Sequence, residues 1–228
     1  MLALRCVTRF HTSASESLLL KQRLNVKNKT KFKINLCFLT EMKQLPPSFF
    51  GRNTVTVAKE LLGKVISVNG CLARIVETEA YGKDPASHAY TRTERSALMY
   101  DTYGHVYVYL IYGMYYCINF TTERKGEPGA VLIRAVEPLQ GMEEMKNLRK
   151  TEKVLNLCSG PGKLCTALGI NKNHNGLKVG TEVKLYDDGF SVKKIGTSSR
   201  IGIKDARDLP WRFFVEGSEW VSKVKVNK

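Results

Sequence analysis

The 228-residue sequence has little of what metal or extracellular chemistry requires. Its six cysteines, at 6, 37, 71, 117, 158 and 165, form no Cys-x-x-Cys pair, and its four histidines do not cluster. That argues against a zinc centre or a disulfide framework, and a reducing compartment fits. No apolar run is long enough to span a bilayer, so no membrane-spanning segment is expected. Internal repeats and low-complexity tracts are also missing. Acid is the scarce charge: 21 Asp and Glu stand against 36 Lys and Arg, a net of +15. That balance favours a polyanionic partner, nucleic acid ahead of a membrane surface.

Hydrophobic residues make up 43% of the chain, enough for a globular body with a real core. Residues 1–45 differ from the rest, with nine Lys and Arg against only Glu16 and Glu41. Their Arg- and Ser-containing, acid-poor start reads either as an organelle-targeting presequence or as a disordered basic arm. Pro46-Pro47 marks the start of a single domain over residues 46–228. Within it, Val55 to Leu62 reads as a short helix, with Val57, Leu61 and Leu62 inward and Gly63 as its stop. Lys64–Val68 and Cys71–Tyr81 read as a hairpin turning at Asn69-Gly70. Residues 82–104 read as loop, and a second hairpin follows from His105 to Phe120. Ala130–Val136 is a buried β run with Arg134 inside it. Helices are expected around 139–149 and from Ser159-Gly160-Pro161-Gly162 through Leu168. Val183–Tyr186 should pair with Ser191–Ile195 across Asp187-Asp188-Gly189, and Trp211–Val215 is a last strand. Short strands in hairpins with few helices give an α+β class: one mixed domain around an antiparallel β-sheet, with a protruding β-hairpin and peripheral helices.

The chemistry concentrates between Cys71 and Phe120. Nine of the ten tyrosines lie between Tyr81 and Tyr116. A core does not need that density, because each buried hydroxyl must find a partner. Strand alternation places Ile75, Glu77, Glu79 and Tyr81 on one face. Tyr107 and Tyr109 share a face in the second hairpin, as do Tyr115, Cys117 and Asn119. Two carboxylates beside a wall of phenol rings point to a site that holds something flat next to an acid or base. Spacing alone leaves open whether Glu79 is a general base or an exposed strand carboxylate, and leaves Glu77 as its competitor. Arg134, rarely buried without a partner, reads equally as an ion pair with Glu77 or Glu137. The Tyr112-Gly113-Met114 turn puts apolar side chains where Asn, Asp or Ser is ordinary, which is what a wedge between bases looks like.

Four separated stretches carry a resemblance: RIVETEAY at 74–81, HVYVYLIYGMYYCINF at 105–120, GAVLIRAVEP at 129–138 and CSGPGKLCTAL at 158–168. In that order they resemble the alkyladenine (3-methyladenine) DNA glycosylases, from about Pro47 to about Ser222. The resemblance implies a monofunctional DNA N-glycosylase that flips alkylated or deaminated purines out of double-stranded DNA and hydrolyses the N-glycosidic bond. It implies Glu79 as the base, with Arg134 and the Ile201 carbonyl holding the water. Tyr81, His88 and Tyr109 would stack on the extruded base, and Asn119 would screen purines by crowding the guanine amino group. Tyr112 would fill the gap in the duplex, flanked by Met114. Gly162 and Lys163, at a helix start, would seat a phosphate. Glu94 departs from the family pattern in the 89–104 stretch. No metal or organic cofactor is implied, and the expected form is a monomer in the nucleus, with the mitochondrion as a second address. The competing readings are a lesion-binding or RNA-binding protein without turnover.

Overall fold

The computed structural model describes residues 42–223, so the segment 1–45 with its two readings lies, up to residue 41, outside the described residues. The strands are β1 (Lys43–Gln44), β2 (Val65–Val68), β3 (Cys71–Tyr81), β4 (Val106–Ile111), β5 (Tyr115–Thr122), β6 (Gly129–Gln140), β7 (Lys184–Asp187), β8 (Ile195–Ser198) and β9 (Arg212–Val215). Between them lie α1 (Thr54–Glu60), α2 (Ala97–Asp101), α3 (Met142–Arg149) and α4 (Pro161–Ala167). The fold is mixed α+β around one antiparallel sheet, in the order β1-β7-β2-β3-β6-β5-β4. β3 is long enough to pair twice along one edge, with β2 near its start and β9 near its end, and β8 pairs with β9.

Local chemistry explains most of these elements. Asn69 and Gly70 both take positive φ, 50° and 78°, the combination a tight two-residue hairpin needs. The Asn69 side chain also donates to the Leu168 carbonyl at 2.9 Å, tying the hairpin to the end of α4. Asn53 caps α1 by accepting from the Val55 and Thr56 amides. Val57, Ala58, Leu61 and Leu62 bury the inner side of this turn of chain against the sheet. Thr78 Oγ1 donates to the Ala58 carbonyl at 2.9 Å, fixing α1 over the middle of β3. The main core lies on that face and contains Ile75, Ala80, Val106, Val108, Ile118, Phe120, Val131, Ile133, Leu164 and Phe213.

Four expectations are corrected. The 82–104 stretch contains α2, a helix too short to show a period; it is held by burial of Met99 and Tyr100 and by the Tyr100 hydroxyl on the Ala89 carbonyl at 2.6 Å. Residues 183–186 do not pair with 191–195. Both edges of β7 are occupied, by β1 and β2, and β8 joins β9 instead. The Asp187-Asp188 stretch is a clamp: Lys64 pairs with Asp187 at 2.6 Å and Arg74 bonds Asp188 through two nitrogens at 2.8 and 3.1 Å. Sheet pairing also begins at Lys43, ahead of Pro46, with Met42 and Leu45 buried.

The fourth correction decides the site. Alternation predicted Ile75 on the same face as Glu77, yet Ile75 is in the main core and Glu77 is not. Beyond a first shift between Leu72 and Ala73, the β3–β6 register slips twice more: Ile75 opposes Val136, Glu77 opposes Ala135, and Thr78 opposes Ile133. Val76 on β3 and Arg134 on β6 are therefore the extra residues of two consecutive bulges, which re-aim the side chains around them. Ahead of the slips Ala73 and Ile75 face the core; after them Thr78 and Ala80 do, leaving Glu77, Glu79 and Tyr81 on the opposite face.

Ile75→Ala should cost about 2–5 kcal/mol of stability in a urea melt, the range for truncating a buried branched side chain. Because Ile75 faces away from the carboxylates, the folded variant should keep its catalytic rate at temperatures below its transition.

Candidate active site

Opposite the core, the slipped register of β3 and β6 brings two carboxylates and two guanidiniums together. Glu77 and Glu79 have no exposed side-chain surface, and Arg134 and Arg212 are nearly as buried. Arg134 stands between the carboxylates, its Nε 3.1 Å from Glu77 Oε1 and its Nη1 3.2 Å from Glu79 Oε2. Of the two sequence readings for Arg134, the ion pair with Glu77 is present; Glu137 lies instead near Arg74, at 4.0 Å. Glu77 also accepts from Arg212 Nε at 2.6 Å, and from the Ser222 amide and hydroxyl at 2.7 and 2.8 Å. Its oxygens are thus spent on holding strands and the C-terminal turn together. The two negative and two positive charges balance, which is what lets all four be buried.

Glu79 is held differently. Oε1 accepts from the Ile201 amide at 2.7 Å, and Oε2 accepts from the Tyr81 hydroxyl at 2.8 Å as well as facing Arg134. Burial raises its pKa above the ordinary 4.5, against the opposing pull of Arg134, the Ile201 amide and the Tyr81 hydroxyl. A carboxylate with a raised pKa and directed donors is suited to accept a proton near neutral pH. Tyr81, Arg134 and Ile201 all line a cavity of about 340 Å³, so the Glu79 carboxylate lies directly behind its wall, held by three groups that form it. That size is at the lower end for small-molecule sites.

Aromatic rings contribute to the wall of this cavity beside small and aliphatic residues. Tyr81, His88, Tyr107 and Tyr109 line it, with Cys117 and Asn119 from the facing strand. The β4–β5 pairing puts Tyr109 opposite Cys117 and Tyr107 opposite Asn119, so the expected shared faces are present and turned toward the cavity. The His88 ring packs edge-on against Tyr109, centroids 4.5 Å apart, and its Nδ1 meets the Tyr107 hydroxyl at 2.9 Å. Burial, with help from Arg95, pushes the His88 pKa down to about 4, so its imidazole is neutral at pH 7. Burial raises the Tyr81 and Tyr109 hydroxyls and lifts the Cys117 thiol to about 11, so none of these adds charge. Asn119 Nδ2 donates to the Tyr107 carbonyl at 3.0 Å, which fixes its orientation at the cavity floor.

Beyond this box, the hairpin tip stands clear of the core. Tyr112 is 83% exposed and Met114 66% exposed, yet Tyr112 also lines the cavity mouth. The Met114 amide donates to the Ile111 carbonyl at 3.1 Å, closing a turn in which Gly113 has φ 68° and Tyr112 itself φ 50°. A left-handed tyrosine is an outlier, so the turn keeps a bulky ring where Asn or Gly is easier. The Gly162 and Lys163 positions do not reach the cavity. Gly162 lies where a Cβ would come within 2.9 Å of Tyr115 Cβ, so the start of α4 presses on the base of the hairpin. Lys163 Nζ donates to Asn156 Oδ1.

Residues 48–219 match the family model described as methylpurine-DNA glycosylase. The chain belongs to the methylpurine-DNA glycosylase family. A relative from Clostridium perfringens named "Putative 3-methyladenine DNA glycosylase" is 47% identical over 203 residues, 79% of this chain and 99% of the relative. Relatives of the same name from Methanocella arvoryzae and Agrobacterium fabrum are 47% and 45% identical, covering 80% and 79% of this chain and 97% and 93% of their own lengths. Membership of the methylpurine-DNA glycosylase family accounts for the order of the motifs; the geometry shows what the motifs leave out. Arg212 and Ser222, which saturate Glu77, carry no sequence signal because their partner is 135 and 145 residues away. Arg200 and Asp84, paired at 2.7 Å, carry no local signal either, because they lie 116 residues apart.

Two substitutions separate scaffold from reactive group. Glu77→Gln leaves Arg134 and Arg212 short of a buried charge and should cost about 3–5 kcal/mol, read as a lowered melting temperature. Tyr112→Gly removes an exposed ring and relieves a positive φ, so its stability should stay within about 0.5 kcal/mol of the parent or rise.

Proposed function

We propose that this chain is a monofunctional DNA N-glycosylase that extrudes alkylated or deaminated purines from double-stranded DNA and hydrolyses their N-glycosidic bond, the first step of base-excision repair. One observation carries the reading: a fully buried carboxylate, Glu79, lies directly behind the wall of a tyrosine-rich cavity, held by Tyr81, Arg134 and the Ile201 amide, which line it. A base inside a duplex is out of reach of such a cavity and must be flipped out. Tyr81 on one side and His88 with Tyr109 on the other then stack on the extruded purine. Asn119, fixed at the floor, crowds a guanine amino group. Tyr112, exposed at the tip and close to the cavity mouth, enters the gap in the base stack, with Met114 beside it.

Glu79 takes a proton from a water that is also oriented by Arg134 and the Ile201 carbonyl. The oxygen adds to C1′ as the C1′–N bond breaks, and the ionised network stabilises the oxocarbenium-like state between. A purine alkylated at N3 or N7 is cationic and departs as a neutral base, so it needs no general acid; a neutral lesion such as hypoxanthine must gain a proton as its bond breaks to leave in the same form. No lysine lines the cavity among the described residues, so nothing there forms a Schiff base and the strand stays intact. Gly162 and Lys163, beside the hairpin base, lie where the flanking phosphates of a wedged duplex would pass. The protein acts as a monomer, and its basic amino-terminal segment supports a nuclear or mitochondrial address.

The test is release of free base from duplexes carrying 3-methyladenine, hypoxanthine or ethenoadenine. Glu79→Gln should bind such DNA yet release base on the order of 100-fold more slowly or worse. Turnover near the parent rate would move the base elsewhere. Activity requires ionised Glu79, whose pKa is raised, so the rate should fall as pH drops through a midpoint above 4.5. His88, already neutral down to about 4, should add nothing to that limb.

A further inference from the structure

Arg200 is an arginine with no exposed side-chain surface, and the reaction proposed above gives it no part. Its guanidinium is tied down from several directions. Nη2 and Nη1 reach the two oxygens of Asp84 at 2.7 and 3.1 Å, and Nη1 also donates to the Ala80 carbonyl at 3.1 Å. Its Cζ lies 4.6 Å from the centre of the Tyr81 ring and 5.4 Å from that of Trp211. Nε is buried without a hydrogen-bond partner, so the placement is held against a penalty. A buried ion pair of this kind contributes little net stability compared with apolar packing, which leaves positioning as its use.

The groups it positions are those of the site. Ala80, whose carbonyl it holds, sits between Glu79 and Tyr81. Asp84 in turn organises the loop toward His88, accepting from the Gly82 and Ala86 amides at 3.3 and 3.0 Å, with its carbonyl taking the Ser87 amide at 2.9 Å. Arg200 is also the residue directly before Ile201, whose amide donates to Glu79 Oε1 at 2.7 Å.

We propose that Arg200, paired with Asp84, is the positioning residue of this site: it holds the Ile201 amide on the Glu79 carboxylate and the Tyr81 ring at the cavity wall. The proposal rests on the reading of Glu79 as the base. The other ionisable groups facing Glu79 are Glu77 and Tyr81 from its own strand, Arg134 from β6, Cys117 from β5, Tyr109 from β4 and, across the β3–β9 pairing, Arg212. Among them it is Tyr81 that Arg200 braces, its ring centre 4.6 Å from the guanidinium carbon. Releasing the loop removes one donor that favours the ionised carboxylate, so Glu79 holds its proton to higher pH.

The experiment compares the full chain with Arg200→Met, Arg200→Lys and Asp84→Asn. The Glu79 carboxyl is titrated by carbon NMR, assigned with Glu79→Gln, and single-turnover base release is measured across pH. In Arg200→Met both midpoints should rise by about half a pH unit or more, with the rate below the midpoint falling by the matching factor of about threefold. Arg200→Lys should give a smaller rise in the same direction. An unchanged midpoint in a folded variant overturns the proposal, since a purely structural role lowers melting temperature or active fraction without moving an ionisation. If Arg200→Met does not fold, the lysine and Asp84→Asn variants decide on the same criterion. Failure of the parent chain to release any base sinks the glycosylase reading, while the NMR titration still decides the role of Arg200.

Discussion

The buried ionic cluster of Glu77, Glu79, Arg134 and Arg212 is the constraint on which the rest of the structure depends. Four ionised groups removed from water are tolerated only when each is paired and hydrogen-bonded. Here the pairing runs across three strands. Arg134 comes from β6, Arg212 from β9 and both carboxylates from β3, so satisfying the charges fixes the order of those strands. Ser222 completes the cluster from the C-terminal turn, which docks the end of the domain onto its middle. The cluster exists because the register slips at Val76 and Arg134; a regular β3–β6 ladder would leave Arg134 out of step with the carboxylates.

Within that cluster the two glutamates have different work, and their environments explain it. Glu77 accepts from Arg134, Arg212 and Ser222, all of which join pieces of the fold. Glu79 accepts from groups that line the cavity, and its burial leaves it holding a proton more readily than a free carboxylate. Their partners, rather than their position in the strand, distinguish these two neighbouring carboxylates. The aromatic wall adds a neutral, flat surface beside Glu79: a neutral imidazole and phenols that burial keeps protonated. Arg134 is the charged side chain that shares this lining.

The hairpin shows the opposite economy. Its strands bury Val106, Val108, Ile118 and Phe120 on the core side and turn Tyr107, Tyr109, Cys117 and Asn119 to the cavity. Past that point the ribbon outruns the body of the protein. Leu110, Tyr112, Met114 and Tyr115 are left in solvent, and the left-handed tyrosine at the tip is a local strain no packing repays.

Much of this was legible from residues close in sequence. Asn69-Gly70 fixed one hairpin, Gly113 with its flanking alternation fixed the other, and the four motifs carried the family. Alternation in β4 and β5 sorted cavity from core correctly because that pairing has no slip. Apart from α2, too short to show a period, the failures were of long range. Ile75 was placed with Glu77 because a bulge is invisible to alternation, and β8 was paired with β7 because a turn-like Asp187-Asp188-Gly189 says nothing of which edges are already taken. The sequence by itself determined the element types, the tyrosine-rich wall and the family. Which glutamate is saturated, how Arg134 comes to stand between two carboxylates, and that Arg200 braces Tyr81 were decided only in the tertiary structure. Each depends on partners between 55 and 145 residues apart, whose meeting is set by strand register and by the need to neutralise buried charge, and neither is written in local spacing.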